Sequence, residues 1–195
     1  MFKDWGEIIK FKKYTRVFCV FLLISVIFQL SVCNVFANNY LIWAYNPKLY
    51  TGMVSGDYKT AATNAMSAWN IAATNAPIPI RIVSTSNSNE AYDNGIIAYS
   101  GAYGLTGWVG LTHWRDYDYF NGNWYLISAY YEFNKSYADG YTLNEKKNIA
   151  SHEMGHILGL DHSGSSSSVM YPTLTSVTGP TGYDEVYLYT KYAYY

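Results

Sequence analysis

Eleven residues, His152 to His162 in the run HEMGHILGLDH, dictate where a helix must run, where it must stop and what it carries. Residues four apart share one helical face, so His152 and His156 offer ring nitrogens to a single point. Glu153 lies one residue round from that pair. His162 is six residues past His156, too far along a continuing helix to join them, so the chain has to turn back after about one more turn. Gly159 supplies the reversal, because a residue without Cβ takes the positive φ that ends a helix. Three imidazoles around one point are the ligand set of an open zinc site. Zn²⁺ accepts neutral imidazole nitrogen at about 2.0–2.1 Å, and a catalytic site usually has three protein ligands and leaves its fourth position to water. A closed structural site needs a fourth Cys or His, and none stands nearby in sequence. The candidate ligands are therefore His152, His156 and His162. Glu153 is the candidate general base, taking a proton from the attacking water and passing it to a leaving amine.

The same run resembles the long zinc signature of the metzincin metallopeptidases, H-E-x-x-H-x-x-G-x-x-H followed by a Met-containing turn. Ser168-Val169-Met170-Tyr171-Pro172, with its Met eight residues past His162, looks like that turn. Its Met-x-Pro form and short spacing are most similar to the matrixin branch. The resemblance implies that Met170 forms a soft floor beneath the three imidazoles. In sister branches a tyrosine two places after the Met reaches the metal; here that place is Pro172, so Tyr171 is not carried over as a ligand. One catalytic Zn²⁺, a peptide or protein substrate and a monomeric α+β domain are further implications. That domain has a twisted mixed sheet of about five strands, a backing helix, the active-site helix and a C-terminal helix. A rim strand, matched by Leu105 to Thr112, pairs with extended substrate. The connection Ser165 to Tyr171 walls the pocket for the residue just after the cleaved bond.

The first 37 residues read as an export signal. Lys3, Lys10, Lys12, Lys13 and Arg16 form a basic start, Val17 to Leu30 is almost uninterrupted apolar, and Val35-Phe36-Ala37 fits an A-x-A-like cleavage site. Two other readings are a retained membrane anchor and a lipidated Cys33 in Leu30-Ser31-Val32-Cys33, where Val32 departs from the small residue expected. Residues 38–195 then make one domain with room for a core. Both cysteines, Cys19 and Cys33, fall inside the signal, so the exported chain folds without disulfides, which suits a bacterial wall or extracellular setting. Without residues 1–37 the charge is 8 − 12 = −4, which favours neither nucleic acid nor an anionic membrane as partner.

Along the mature chain, Asn39 to Tyr45 alternates like an opening strand, and Gly56 to Asn75 repeats Ala61, Ala65, Ala68, Trp69 and Ala72 at helical steps. Ile78 to Ser84 has period-two isoleucines and predicts a strand with Arg81 facing out, followed by a polar loop. Gly95 to Ser100 and Tyr125 to Asn134 predict two more strands, and Gly101 to Trp114, with four glycines, an irregular edge strand or loop. Thr142 and Glu145 form a capping box that starts the zinc helix at Leu143. The segment Tyr183 to Tyr192 reads as a short closing helix.

Three further features carry weaker signals. His113 is the one histidine outside the motif, and Asp116 and Asp118 beside it offer the oxygens calcium takes, in a set too sparse to define a Ca²⁺ loop. The 22 tyrosines read first as strand fillers and second as a sticky recognition surface. Two rivals to an exported zinc endopeptidase follow: a zinc-stabilised, adhesin-like binding module without hydrolysis, and a membrane-held interaction protein. Glu153 separates the first, since a purely structural site needs no base.

Overall fold

The computed structural model describes residues 41–193, so the expected signal segment 1–37 lies outside the described residues, as do Asn39 and Tyr40. The chain is an α+β domain. Strand β1 (Leu41–Trp43) and β2 (Lys48–Tyr50) lead into helix α1 (Gly56–Asn75), then β3 (Val83–Thr85), α2 (Ser88–Asn94) and β4 (Gly95–Gly101). Strands β5 (Gly110–Phe120) and β6 (Asn123–Asn134) form a hairpin. Helices α3 (Lys135–Ala138), α4 (Leu143–Ile157) and α5 (Gly182–Tyr192) complete the order.

Six strands make one mixed sheet, one more than the roughly five expected. Its axis is β6. Strand β5 runs antiparallel along it, while β1 pairs parallel with Trp124 to Leu126 and β4 parallel with Ala129 to Asn134. Strands β2 and β3 continue the sheet outward from β4, both parallel. Parallel neighbours demand crossovers, and α1 is the long one between β2 and β3.

Helix α1 backs the sheet through its small residues. Ala61, Ala62, Ala65, Ala72 and Ala73 are buried with Trp69, and the alanines let the helix approach α4 closely. Across that contact the Trp69 indole donates to the Ser151 carbonyl of α4 at 2.8 Å. Helix α4 starts as its capping box requires, with Glu145 N donating to the Thr142 hydroxyl at 3.3 Å and Thr142 N to the Glu145 carboxylate at 2.7 Å. It ends at Gly159, whose φ is 87°. Gly159 N donates to His156 O and Leu160 N to Gly155 O, both at 3.0 Å, the paired closure of a Schellman turn.

Several expectations need correction. Ile78, Ile80 and Ile82 are buried at period two as read, but strand pairing begins only at Val83. Before that, side chains stand in for a ladder: Asn46 and Asn70 accept from Arg81 N and Ile82 N, each at 2.8 Å. Arg81 does not simply face out, because its guanidinium folds back onto the carbonyls of Ile78 and Ile80 at 2.7 Å. The polar loop after this segment contains α2, capped by the Asn87 side chain. The strand expected from Leu105 starts at Gly110. Residues Gly104 and Gly107 take φ of 77° and 85°, and buried Asn134 gathers the carbonyls of Gly104 and Trp108 and the Thr106 hydroxyl, so that segment is an ordered loop. Asp116 and Asp118 sit on β5, not in a calcium loop, and the Asp116 carboxylate is taken by Arg115 and Ser128. Tyrosines do lie on strands, yet Tyr117 and Tyr119 are exposed and pack against Trp124 on the outer surface rather than filling the core.

Gly159 combines a positive φ with a lack of room for a side chain. A Cβ there would meet the Leu41 carbonyl oxygen at 2.7 Å while φ stays positive. Gly159→Ala is expected to lower unfolding free energy by about 2 kcal/mol or more, read as a lower urea midpoint with unchanged slope.

Candidate metal centre

Helix α4 presents His152 and His156 one turn apart, and the Schellman turn brings the chain back so that His162 faces them. The three Nε2 atoms form a triangle with sides of 3.1, 3.2 and 3.2 Å. Two rings are fixed from behind. His152 Nδ1 lies 2.9 Å from the Val169 carbonyl oxygen and His156 Nδ1 2.8 Å from that of Leu160. A carbonyl only accepts, so in both rings the proton belongs on Nδ1 and the lone pair on Nε2. Burial favours the same neutral state, pushing His152 down to about 4 and His156 to about 3, and lowering His162. Neutral lone pairs aimed at one point repel, and a cation resolves them. A tetrahedral ion with bonds of 2.0–2.1 Å holds its nitrogens about 3.3–3.4 Å apart, so the donor set and its spacing fit Zn²⁺.

Glu153 projects from α4 toward β5 and is 7% exposed. Its carboxyl is raised to about 7 by desolvation, with a hydrogen bond from Thr112 pulling the other way. The Thr112 hydroxyl lies 2.8 Å from Glu153 Oε2 and 2.9 Å from its main-chain oxygen. Met170 is buried against α4, and its sulfur fills the space that a Cβ on Gly155 would occupy. Helix α4 therefore has a glycine between its two ligands because the turn residue packs directly on its backbone. Of the residues singled out in sequence, His152, His156 and His162 converge, Glu153 occupies the helix position next to His152, and Met170 packs against Gly155.

The residues that hold this cluster were not legible beforehand. Buried Asp184, in the first turn of α5, accepts from the Ser168 hydroxyl at 2.5 Å, from Val169 N at 3.1 Å and from Thr181 N at 2.7 Å. It thereby holds Val169, the residue whose carbonyl orients His152, the kind of outer support that sets ligand geometry. The T-x-x-D spacing of Thr181 and Asp184 signals a helix cap but not its contact with a distant turn. Trp43 and Trp114 donate to the carbonyls of Ile157 and His156 at 3.0 and 3.2 Å, pinning the last turn of α4 to β1 and β5. His113 stands apart, stacked on Tyr130 and bonded to Glu132 at 3.1 Å. Among the described residues, His152, His156 and His162 are the one group of three or more His, Cys, Asp or Glu side chains whose ligand atoms converge.

The depressed imidazoles make the metal-free protein acid-sensitive. Unfolded, both rings take up protons near their ordinary value of about 6.5; folded, they resist until about 4 and 3. Between those limits these two rings bind more protons in the unfolded chain, so their contribution to stability falls as pH falls, opposed in part by Glu153, whose raised carboxyl takes up its proton earlier in the folded chain. Metal-free protein is expected to melt on the order of 5 °C lower at pH 5 than at pH 7, with His152→Gln reducing the difference.

A family model described as Matrixin matches residues 38–183. The chain is also similar to human matrix metalloproteinase-26, 68% identical over 25 residues that amount to 13% of this chain and 10% of that protein. It thus spans about a tenth of the curated relative it matches.

Proposed function

This chain belongs to the matrixin family of zinc metalloendopeptidases, and on that premise we propose that it is an exported endopeptidase in which Glu153 is the general base. The observation that carries the reading is the convergence of three Nε2 atoms within 3.2 Å of one another, with a buried carboxylate on the adjacent residue of the same helix. His152, His156 and His162 would hold zinc, which when bound lowers the pKa of a water to about 7 and polarises a carbonyl oxygen.

The chain's own residues do the rest. Glu153 accepts the proton that the water gives up as its oxygen attacks the peptide carbonyl carbon. It then delivers that proton to the leaving nitrogen as the C–N bond breaks. Burial makes the Glu153 carboxylate a stronger base than a solvated one, which suits it to take up the proton and return it. Substrate is held by strand addition to β5, which pairs with β6 along one edge, main-chain bonds giving affinity and side-chain pockets selectivity. Ser165 to Tyr171 wall the pocket for the residue after the cleaved bond. Met170 keeps the three rings level by filling the space beneath them.

Glu153→Gln keeps shape and removes the base. The variant should bind one zinc per chain and melt like the parent, while kcat for peptide cleavage falls by about 10²- to 10⁴-fold. Undiminished cleavage would remove this mechanism, whereas a parent protein that binds zinc and cleaves no peptide would favour the binding-module alternative.

Export rests on the basic and apolar segment at residues 1–37. No helix among the described residues is long and apolar enough to cross a membrane. N-terminal sequencing of protein recovered outside the cell should begin at Asn38; a chain still carrying Val17 to Leu30 would favour a membrane-held form.

A further inference from the structure

The rim strand touches the candidate base directly. Side chains alternate along β5, so Thr112 faces α4 while His113 turns to the outer face of the sheet and meets Glu132. Thr112 sits opposite Tyr131 in the hairpin ladder, which fixes its backbone. It is also β-branched, and its χ1 is stiff. The hydroxyl is therefore held rigidly 2.8 Å from Glu153 Oε2 and 2.9 Å from Glu153 O, its one proton directed at the carboxylate or shared between the two oxygens.

Two residues earlier on the same face, Gly110 leaves a gap. A Cβ there would lie 2.6 Å from Glu153 Oε1, 2.9 Å from its Cγ and 2.7 Å from Ile149 Cγ2. One carboxylate oxygen thus occupies the space of a missing side chain, and the other is held by a hydroxyl two positions on. A long, flexible glutamate is confined by a strand rather than by its own helix.

We propose that Thr112 is a positioning residue that aims the Glu153 carboxylate, with Gly110 supplying the space it is aimed through. The same strand that receives substrate sets the orientation of the base. This inference rests on Glu153 being the base.

The test uses the zinc-loaded protein with Thr112→Val, Thr112→Ser and Gly110→Ala, with Glu153→Gln as control. Thr112→Val should lower kcat about 10- to 100-fold with KM and zinc content within twofold of the parent. Thr112→Ser, which keeps the hydroxyl, should recover most of that loss. Crystal structures of the metal-free variants should show Glu153 in a new rotamer in Thr112→Val and Gly110→Ala, and in its original one in Thr112→Ser. Parental kcat in Thr112→Val, or equal losses in the Val and Ser variants, would overturn the assignment of the hydroxyl. Should Thr112→Val not fold, Gly110→Ala decides: parental kcat together with an unmoved carboxylate sinks the proposal. The two readings fail separately, since an active Glu153→Gln removes the base itself, whereas an inactive Glu153→Gln beside a fully active Thr112→Val removes only its positioning.

Discussion

Three imidazole lone pairs aimed at one point repel one another, and much of this fold is a means of enforcing that arrangement. Neither His152 nor His156 is free to turn its Nε2 away, because each ring is tied through Nδ1 to a carbonyl oxygen. Those carbonyls belong to Val169 and Leu160, residues of the turn and the reversal rather than of the helix. The reversal depends on Gly159 in the left-handed region, so one residue without a Cβ both ends the helix and delivers the carbonyl that holds its second ligand.

Around this centre the helix is gripped by tryptophans. Indoles from β1, α1 and β5 donate to the carbonyls of Ile157, Ser151 and His156, so sheet, backing helix and rim strand all fix α4 by directional bonds as well as by packing. A buried indole N–H needs a partner, and the helix carbonyls supply it, that of Ile157 lying in the last turn where intrahelical donors run out. The precision required of a metal ligand is thereby drawn from the whole domain.

The centre was legible in the sequence because its physics is local. Spacing within His152 to His162 fixes ligand faces, the Thr142 and Glu145 pair fixes the start of the helix, and Gly159 fixes its end. Long periodic segments such as Gly56 to Asn75 were equally plain. What failed to read was non-local or irregular. Strand pairing was inferred too early at Ile78, since alternating burial alone does not say that a neighbouring strand is present. The length of β5 was missed although Asn121-Gly122, with φ of 50° and 84°, is a strong hairpin signal that would have made Asp116 and Asp118 strand residues. Asp184, Thr112 and the tryptophans act across large sequence separations, and nothing in their immediate neighbours announces it.

Asp184 gives the site a temporal order. The side chain that secures the turn behind His152 is synthesised after every ligand and after the turn itself. A nascent polypeptide that has emerged only through Pro172 has all three imidazoles but no carboxylate to brace Val169. The brace on Val169 therefore waits on the docking of the closing helix rather than on the appearance of the three imidazoles.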